Sequence, residues 1–229
     1  MILEGTVQAF RLLFGLSPEV WGPVWVSLSV SITSTFLSTI LALPAGLALG
    51  LGRFRGRRLS LGLFNTLMSL PTVLVGLIVY ALLTRRGPLG DLELLYTKTA
   101  MVIGQVILAF PIMTGLVAAS ADKADPRILE AVLGLGGGHM RAVLVVASEM
   151  RTALVAAVAA GFGRVFSEVG ISMMVGGNIR GVTRNITTGI AFETGKGEFA
   201  KGVALGIVLL VVALAVNLVA SALNRGRRT

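Results

Sequence analysis

Apolar and polar stretches alternate along the chain in a way that predicts membrane-spanning helices joined by polar loops. Five stretches are apolar for about 20 residues or more, the length at which a helix crosses the hydrocarbon core of a bilayer. These predicted spans are 24–51, 61–83, 99–119, 152–174 and 202–223. The segment 1–15 is too short and too polar to span, and we expect an interfacial helix there. The alternative for this segment is a disordered lead.

Prolines interrupt three of the five predicted spans. Pro44, Pro71 and Pro111 each remove a backbone donor from the helix that contains them, which predicts a kink or a break. Pro71 lies near the middle of the second span, so we expect that span to be broken there.

The loop 121–151 between the third and fourth spans predicts a helix, a turn and a second helix. Asp125-Pro126 is a helix start, because Asp caps free N–H groups and Pro suits the first helical position. Three glycines, 136–138, end that helix. A second helix follows from His139 to about Ser148. A generic amphipathic connection is the alternative for this loop.

Composition supports an integral membrane protein with one domain, 1–229. The chain is 55% hydrophobic and 14% charged, and its mean hydropathy is +0.87, which leaves too little polar surface for a soluble domain. It contains no cysteine, which excludes disulfides and thiolate metal sites. The only histidine, His139, lies in a loop where a solvated side chain is expected, so no metal site is predicted.

Net charge is +9, and the distribution of basic residues predicts an orientation. We interpret the charge by the positive-inside rule and not as nucleic-acid binding, because the basic residues are split among short loops. Eleven lysines and arginines lie in the 53–58 loop, the 121–151 loop and the tail, against eight on the opposite side. This bias places the N-terminus outside and the C-terminus in the cytoplasm, in a multi-pass protein of the cytoplasmic membrane.

Two opposite charges lie inside the predicted fourth span. Arg164 and Glu168 are four residues apart, so in a helix they share one face and can pair. Charges at membrane depth are costly and usually find partners. The pair is either a structural ion pair or part of a path or gate for an anion.

The following outer loop carries amide, hydroxyl and guanidinium groups that suit an oxyanion. They belong to Asn178, Arg180, Thr183, Arg184, Thr187 and Thr188. The alternative is a re-entrant turn whose polar groups satisfy its own backbone.

The loop 121–151 also carries a family resemblance. Glu130-Ala131, followed by Gly136, resembles the "EAA" loop of ABC importer permeases, although Val132 stands where that motif has a second alanine. In that family the loop docks into a groove on a separate ATPase subunit. The resemblance implies that Glu130, Ala131, Gly136 and Gly137 contact the ATPase.

The stretch 161–199 resembles the permeases of the molybdate/tungstate group, and within that group it is most similar to the tungstate type. The shared features are Gly163-Arg164, Ser167-Glu168-Val169-Gly170, Gly176-Gly177-Asn178-Ile179, Thr187-Thr188 and Lys196-Gly197-Glu198-Phe199. The resemblance implies an all-α permease of the type I importer kind. It also places Ser167 with Arg164 and Glu168 near the translocation path.

The resemblance further implies a set of partners. Two copies of the chain would form the pathway, two ATPase subunits would hold ATP and magnesium, and an external protein would deliver the oxyanion. The chain itself would bind no cofactor, and it carries no recognisable catalytic motif. Molybdate and sulfate are the alternative substrates, and an ion-coupled secondary transporter or an assembly factor without transport activity are the alternative functions.

Overall fold

The computed structural model describes residues 2–225, and within that range the regular structure is entirely helical. The predicted all-α class is confirmed. The α-helices are α1 (Ile2–Phe14), α2 (Pro18–Leu51), α3 (Arg57–Met68), α4 (Thr72–Leu83), α5 (Lys98–Ala121), α6 (Pro126–Gly134), α7 (His139–Glu149), α8 (Arg151–Phe166), α9 (Gly170–Gly176), α10 (Ile186–Gly195) and α11 (Phe199–Arg225). Arg227 and Arg228 of the predicted inner tail lie outside the described residues.

The helices α2 and α5 pack against each other in parallel and form the most extensive helix–helix contact of the molecule. Glycines on α2 allow their backbones to approach closely. A Cβ placed on Gly46 would lie 2.6 Å from Cβ of Val117, and one on Gly50 would lie 2.4 Å from Cβ of Ala121. Small residues are the usual means of close helix packing in membranes. This helix pair forms the centre of the fold, around which α4, α8, α9 and α11 pack.

Within residues 2–225, three helices are long and apolar enough to cross a membrane, namely α2, α5 and the 199–222 part of α11. The number rises to five if the bent pairs α3–α4 and α7–α8 each count as one span. Large apolar side chains are exposed on the outer faces of α2 and α11, for example Phe36 and Leu214. Their exposure is expected for surfaces that face lipid.

The predicted second span is broken where Pro71 was expected to break it. The helix α3 ends at Met68 and α4 begins at Thr72, and the two axes differ in direction by 95°. The other two prolines, Pro44 and Pro111, lie inside helices that continue past them.

The prediction of a continuous fourth span over 152–174 was wrong. The helix α8 ends at Phe166, and a separate helix, α9, covers only Gly170–Gly176. The residues between α8 and α9 are held by hydrogen bonds to Glu168, which are described below. These bonds take the place of the backbone hydrogen bonds of a continuous helix. The loop expected over 175–200 also contains the helix α10. This helix begins beside Ser27 of α2 and runs toward the end of the bundle where α2 begins.

Candidate functional site

The loop 121–151 folds into two helices joined by a glycine turn, as predicted. The carboxylate of Asp125 accepts a hydrogen bond from the backbone N–H of Arg127 at 2.9 Å, which caps the start of α6. The second helix, α7, begins at His139 as expected and ends at Glu149, one residue later than expected.

The turn depends on two of its glycines. Gly136 has φ +80°, a conformation that side chains with a Cβ rarely adopt. The N–H of Gly137 then donates to the carbonyl of Val132 at 2.8 Å and satisfies one of the last carbonyls of α6. The angle between α6 and α7 is therefore fixed by local backbone geometry.

The two loop helices form one element that is seated on the ends of α2 and α5. Its inner face belongs to an apolar cluster made of Leu47, Leu51, Ala121, Leu129, Val146, Met150 and Leu154. Its outer face is exposed and includes Glu130, Ala131 and the apolar side chain of Leu135, which is 90% exposed. A rigid element with an exposed apolar surface is suited to bind another protein.

Arg57 joins several helices at the same end of the bundle. Its guanidinium group donates to the carbonyl oxygens of Leu49 at 2.8 Å and Gly50 at 3.1 Å, which are among the last carbonyls of α2. It also forms an ion pair with Asp122, which directly follows α5. One side chain thus links the ends of α2 and α5 to the start of α3.

The predicted pair of Arg164 and Glu168 is present at the break between α8 and α9. Nη1 of Arg164 lies 2.8 Å from Oε2 of Glu168. The Glu168 side chain is 3% exposed, whereas that of Arg164 is 36% exposed. The second carboxylate oxygen accepts a hydrogen bond from the backbone N–H of Ile171 at 3.2 Å, which caps α9. Ser167 is exposed, and its hydroxyl donates to the carbonyl of Gly163 at 2.9 Å.

A buried polar network continues from Glu168 to the start of α10. The hydroxyl of Thr187 donates to the backbone carbonyl of Glu168 at 2.7 Å and lies 3.0 Å from Oδ1 of Asn185. The amide nitrogen Nδ2 of Asn185 donates to the hydroxyl of Ser172 at 2.9 Å. The start of α10 is therefore fixed to the α8–α9 break and to α9.

The same helix start is tied to α2. The backbone N–H of Ile186 donates to the hydroxyl of Ser27 at 2.8 Å. Asn185 and Thr188 complete a reciprocal capping box, with Oδ1 of Asn185 accepting from the Thr188 N–H at 2.9 Å. The network satisfies polar groups that would otherwise be costly inside a membrane.

Two of the predicted site residues have local roles in the turn between α9 and α10. Thr183 is buried, and its hydroxyl contacts the carbonyl of Gly176 and accepts from the N–H of Ile179 at 3.0 Å. Asn178 has φ +51°, in the left-handed region that asparagine tolerates.

Arg184 is held from several directions. It donates to Oδ1 of Asn178 at 3.2 Å and to Glu193 at 3.3 Å, and its guanidinium carbon lies 4.1 Å from the centre of the Phe192 ring. Its side chain is only 13% exposed. Arg180, by contrast, is 70% exposed and pairs at 3.0 Å with Glu19 from the first turn of α2.

The sequence-predicted residues thus lie in three places, and the structure joins only two of them. Glu130, Ala131, Gly136 and Gly137 lie on the loop at one end of the bundle. Arg164, Ser167 and Glu168 lie at the α8–α9 break, which the buried network connects to the turn carrying Asn178, Arg180, Thr183 and Arg184. The connecting residues Ser27, Ser172 and Asn185 were not predicted as site residues. The only sequence signal for Asn185 is its spacing of three from Thr188, which is a capping pattern.

Comparison with known proteins agrees with this architecture. The family model for the inner membrane component of binding-protein-dependent transport systems matches residues 42–229. The chain is 41% identical to the tungstate uptake system permease protein TupB of Campylobacter jejuni over 98% of its own length and 94% of that protein. It is 40% identical to the TupB protein of Peptoclostridium acidaminophilum, over 95% of this chain and 96% of that protein. The resemblance seen in the sequence is confirmed.

A solved structure shows the same fold. The chain superposes on the MetNI methionine ABC transporter in an inward-facing conformation with a TM-score of 0.72, covering 90% of this chain and 94% of that chain. The identity is 16%, so this likeness concerns the fold alone. With the family model matching most of its length, the chain belongs to the family of inner membrane components of binding-protein-dependent transport systems.

Proposed function

We propose that this chain is the membrane-spanning subunit of an ABC importer that moves tungstate across the cytoplasmic membrane. The observation that carries the proposal is the 40–41% identity to two tungstate uptake permeases over 95–98% of the chain. Both alignments cover nearly the whole of this chain and nearly the whole of the relative.

Molybdate is the principal alternative substrate. The molybdenum transport system permease ModB of Haemophilus influenzae is 23% identical over 58% of this chain, well below the tungstate permeases in both respects. A probable anion ABC transporter permease of Haloferax volcanii is 39% identical over 72% of the chain. Both comparisons support an anion as the transported species, and the ranking favours tungstate.

The loop helices α6 and α7 are the proposed docking element for the ATPase subunits. The basic-residue bias places them on the cytoplasmic side, with the start of α2 and the α9–α10 turn outside. Glu130 and Ala131 lie on the exposed face of α6, beside the exposed Leu135. ATP and magnesium would bind the partner subunits, and this chain would supply no catalytic group.

A single helix, α8, connects the docking element to the α8–α9 break. The helices α7 and α8 meet at one residue, Met150, with a bend of 73° between them. Near its far end α8 carries Arg164, about 21 Å from Met150 along the helix axis. A displacement of α7 by the ATPase would therefore move the α8–α9 break as part of a rigid-body switch.

The α8–α9 break supplies the chemistry that a tetrahedral dianion needs. Arg164 is the partly exposed cation, and the adjacent Ser167 is an exposed hydroxyl. Glu168 is buried and holds Arg164 in place. Interrupted helices at membrane depth are a common setting for substrate sites in transporters.

The proposed assembly contains two copies of this chain, two ATPase subunits and an external oxyanion-binding protein. The family description names a binding-protein-dependent system, which supports the last of these partners. An ion-coupled secondary transporter would need none of them.

Whole-cell accumulation tests the substrate. Cells that express the chain with its ATPase and binding protein should accumulate tungstate, and excess molybdate or sulfate should compete weakly. Stronger uptake of molybdate than of tungstate at equal concentration would refute the substrate assignment while leaving the family unchanged.

A further inference from the structure

A charged cleft of about 420 Å³ opens where α2 and α11 begin and α10 ends. We call it the outer cleft, since the proposed orientation places it on the extracytoplasmic side. Its charged lining consists of Glu19, Arg180, Arg184, Glu193, Lys196 and Lys201. Four of these six residues are basic and two are acidic, so the cleft carries a net charge of +2.

The two acids are already occupied by cations within the cleft. Glu193 pairs with Arg184 at 3.3 Å, and Glu19 is shared between Arg180 at 3.0 Å and Lys201 at 2.8 Å. These contacts fix the geometry of the cleft, because they join the starts of α2 and α11 to the α9–α10 turn and to α10.

Two of the four cations in the cleft lack an acidic partner of their own. Among the side chains that the structure describes, no carboxylate lies within ion-pair distance of Lys196, whose amino group sits 4.1 Å from the centre of the Phe192 ring. Arg184 also lies over this ring, also at 4.1 Å from its centre, so Phe192 fixes two cations at once. Arg180 is 70% exposed, and its acidic partner, Glu19, also pairs with Lys201. Lys196 and Arg180 are therefore available to an anionic partner.

The location of these charges is unusual for a membrane protein. Basic residues are generally depleted from the outer loops, and the anionic leaflet that attracts them is the cytoplasmic one. Yet four of the eight lysines and arginines assigned to the outer side line this one cleft. A lipid surface does not explain them, whereas a soluble acidic partner arriving from outside does.

We propose that the outer cleft is the docking site for an acidic segment of the oxyanion-binding protein, with Lys196 and Arg180 as the residues that bind its carboxylates. This inference rests on the proposed function, which includes such a partner. Complementary charges on the two proteins would speed their association and fix their register. The cleft also touches the turn that the buried network connects to Glu168, so a docked protein would contact an element linked to the α8–α9 break.

The test is binding of the purified oxyanion-binding protein to the purified permease–ATPase complex, measured as a function of salt. Arg180→Gln with Lys196→Gln should weaken binding by roughly tenfold and flatten its salt dependence. The matched control is Arg85→Gln with Arg86→Gln, which removes two exposed charges from another loop assigned to the same side. The control should bind as the wild type does.

Several results would overturn the proposal. Wild-type affinity and salt dependence in the Arg180→Gln/Lys196→Gln variant would do so, as would an equal loss in the control. Lys196→Gln alone, an exposed substitution, provides the same test if the double variant does not assemble, with a smaller loss expected. Binding of tungstate alone to the wild-type complex, lost in the double variant, would show a small-anion site instead. If the complex binds the binding protein through these residues yet imports no tungstate, only the proposed substrate would be refuted.

Discussion

Arg164 donates a hydrogen bond to Glu168 at 2.8 Å, and the pair bridges the gap between α8 and α9. The carboxylate of Glu168 has a second task, because its other oxygen accepts the backbone N–H of Ile171 at 3.2 Å. Exchange of the two residues would preserve the ion pair but not the cap, since an arginine side chain has no acceptor. Glu168 is therefore both the counter-ion of Arg164 and the cap of α9.

This double role predicts a graded response to substitution of Glu168. Glu168→Gln keeps an acceptor for Ile171 and removes the charge, whereas Glu168→Ala removes both. We expect Glu168→Ala to be less stable than Glu168→Gln by about 1 kcal/mol, the size of a helix cap. Thermal unfolding of the purified complex in detergent measures the difference.

Exchange of the pair gives a sharper test. Arg164→Glu with Glu168→Arg should assemble less stably than the wild type and should not import tungstate, because the cap is lost and the cation is displaced. Wild-type stability of the exchanged variant would show that the contact with Ile171 is unimportant. Full transport by that variant would refute a position-specific role for Arg164.

The glycine turn of the docking element gives a second prediction. Gly136→Val forces a β-branched residue into φ +80°, which costs roughly 1–3 kcal/mol and tilts α6 against α7. Gly137→Ala should also disturb the turn, because its Cβ would lie 2.6 Å from the carbonyl oxygen of Val132. Both variants should retain less ATPase subunit on affinity purification.

Gly138→Ala is the matched control for this turn. A Cβ at Gly138 meets no atom within 4 Å, and its φ is −71°. The control should therefore co-purify with a normal amount of ATPase. If Gly136→Val retains as much ATPase as Gly138→Ala, the turn has no role in docking.

Features set by local sequence were predictable, whereas features set by tertiary contacts were not. The helix–turn–helix of 121–151 and the break at Pro71 were predictable, because capping residues, glycines and prolines act on their own neighbours. The break after Phe166 was not, since no proline lies there. It is fixed by Thr187, which binds the carbonyl of Glu168 from 19 residues away.

The helix α10 escaped prediction for a related reason. Its sequence, ITTGIAFETG, is rich in threonine and glycine, which are poor helix formers. Tertiary contacts compensate, because Ile186, Thr187, Thr188 and Gly189 are buried and the first N–H groups are capped. The candidate residue Arg184 was recognisable as basic, but its position over the Phe192 ring depends on this helix.

Thr187 provides the third prediction. Thr187→Val keeps the shape of the side chain and removes the hydroxyl that donates to Glu168, leaving a buried carbonyl without this partner. We expect a loss of about 1–2 kcal/mol in stability and reduced tungstate uptake. Thr187→Ser retains the hydroxyl and should transport close to normally. Equal behaviour of the valine and serine variants would contradict a role for the hydrogen bond.

Orientation gives the fourth prediction, and the absence of cysteine makes it straightforward to measure. Gly138→Cys lies in the docking element and Gly195→Cys at the end of α10, and a Cβ meets no atom within 4 Å at either position. A membrane-impermeant thiol reagent applied from outside should label the residue at 195 only. Labelling of the residue at 138 instead would reverse the proposed topology and remove the argument for ATPase docking.

The most direct test of the central claim is tungstate flux into proteoliposomes that contain this chain and its ATPase. With the binding protein and tungstate on one side and ATP with magnesium on the other, we expect accumulation that persists when ionophores dissipate ion gradients. Vesicles without ATP should accumulate none. Tungstate accumulation that follows an ion gradient and ignores ATP would contradict the account.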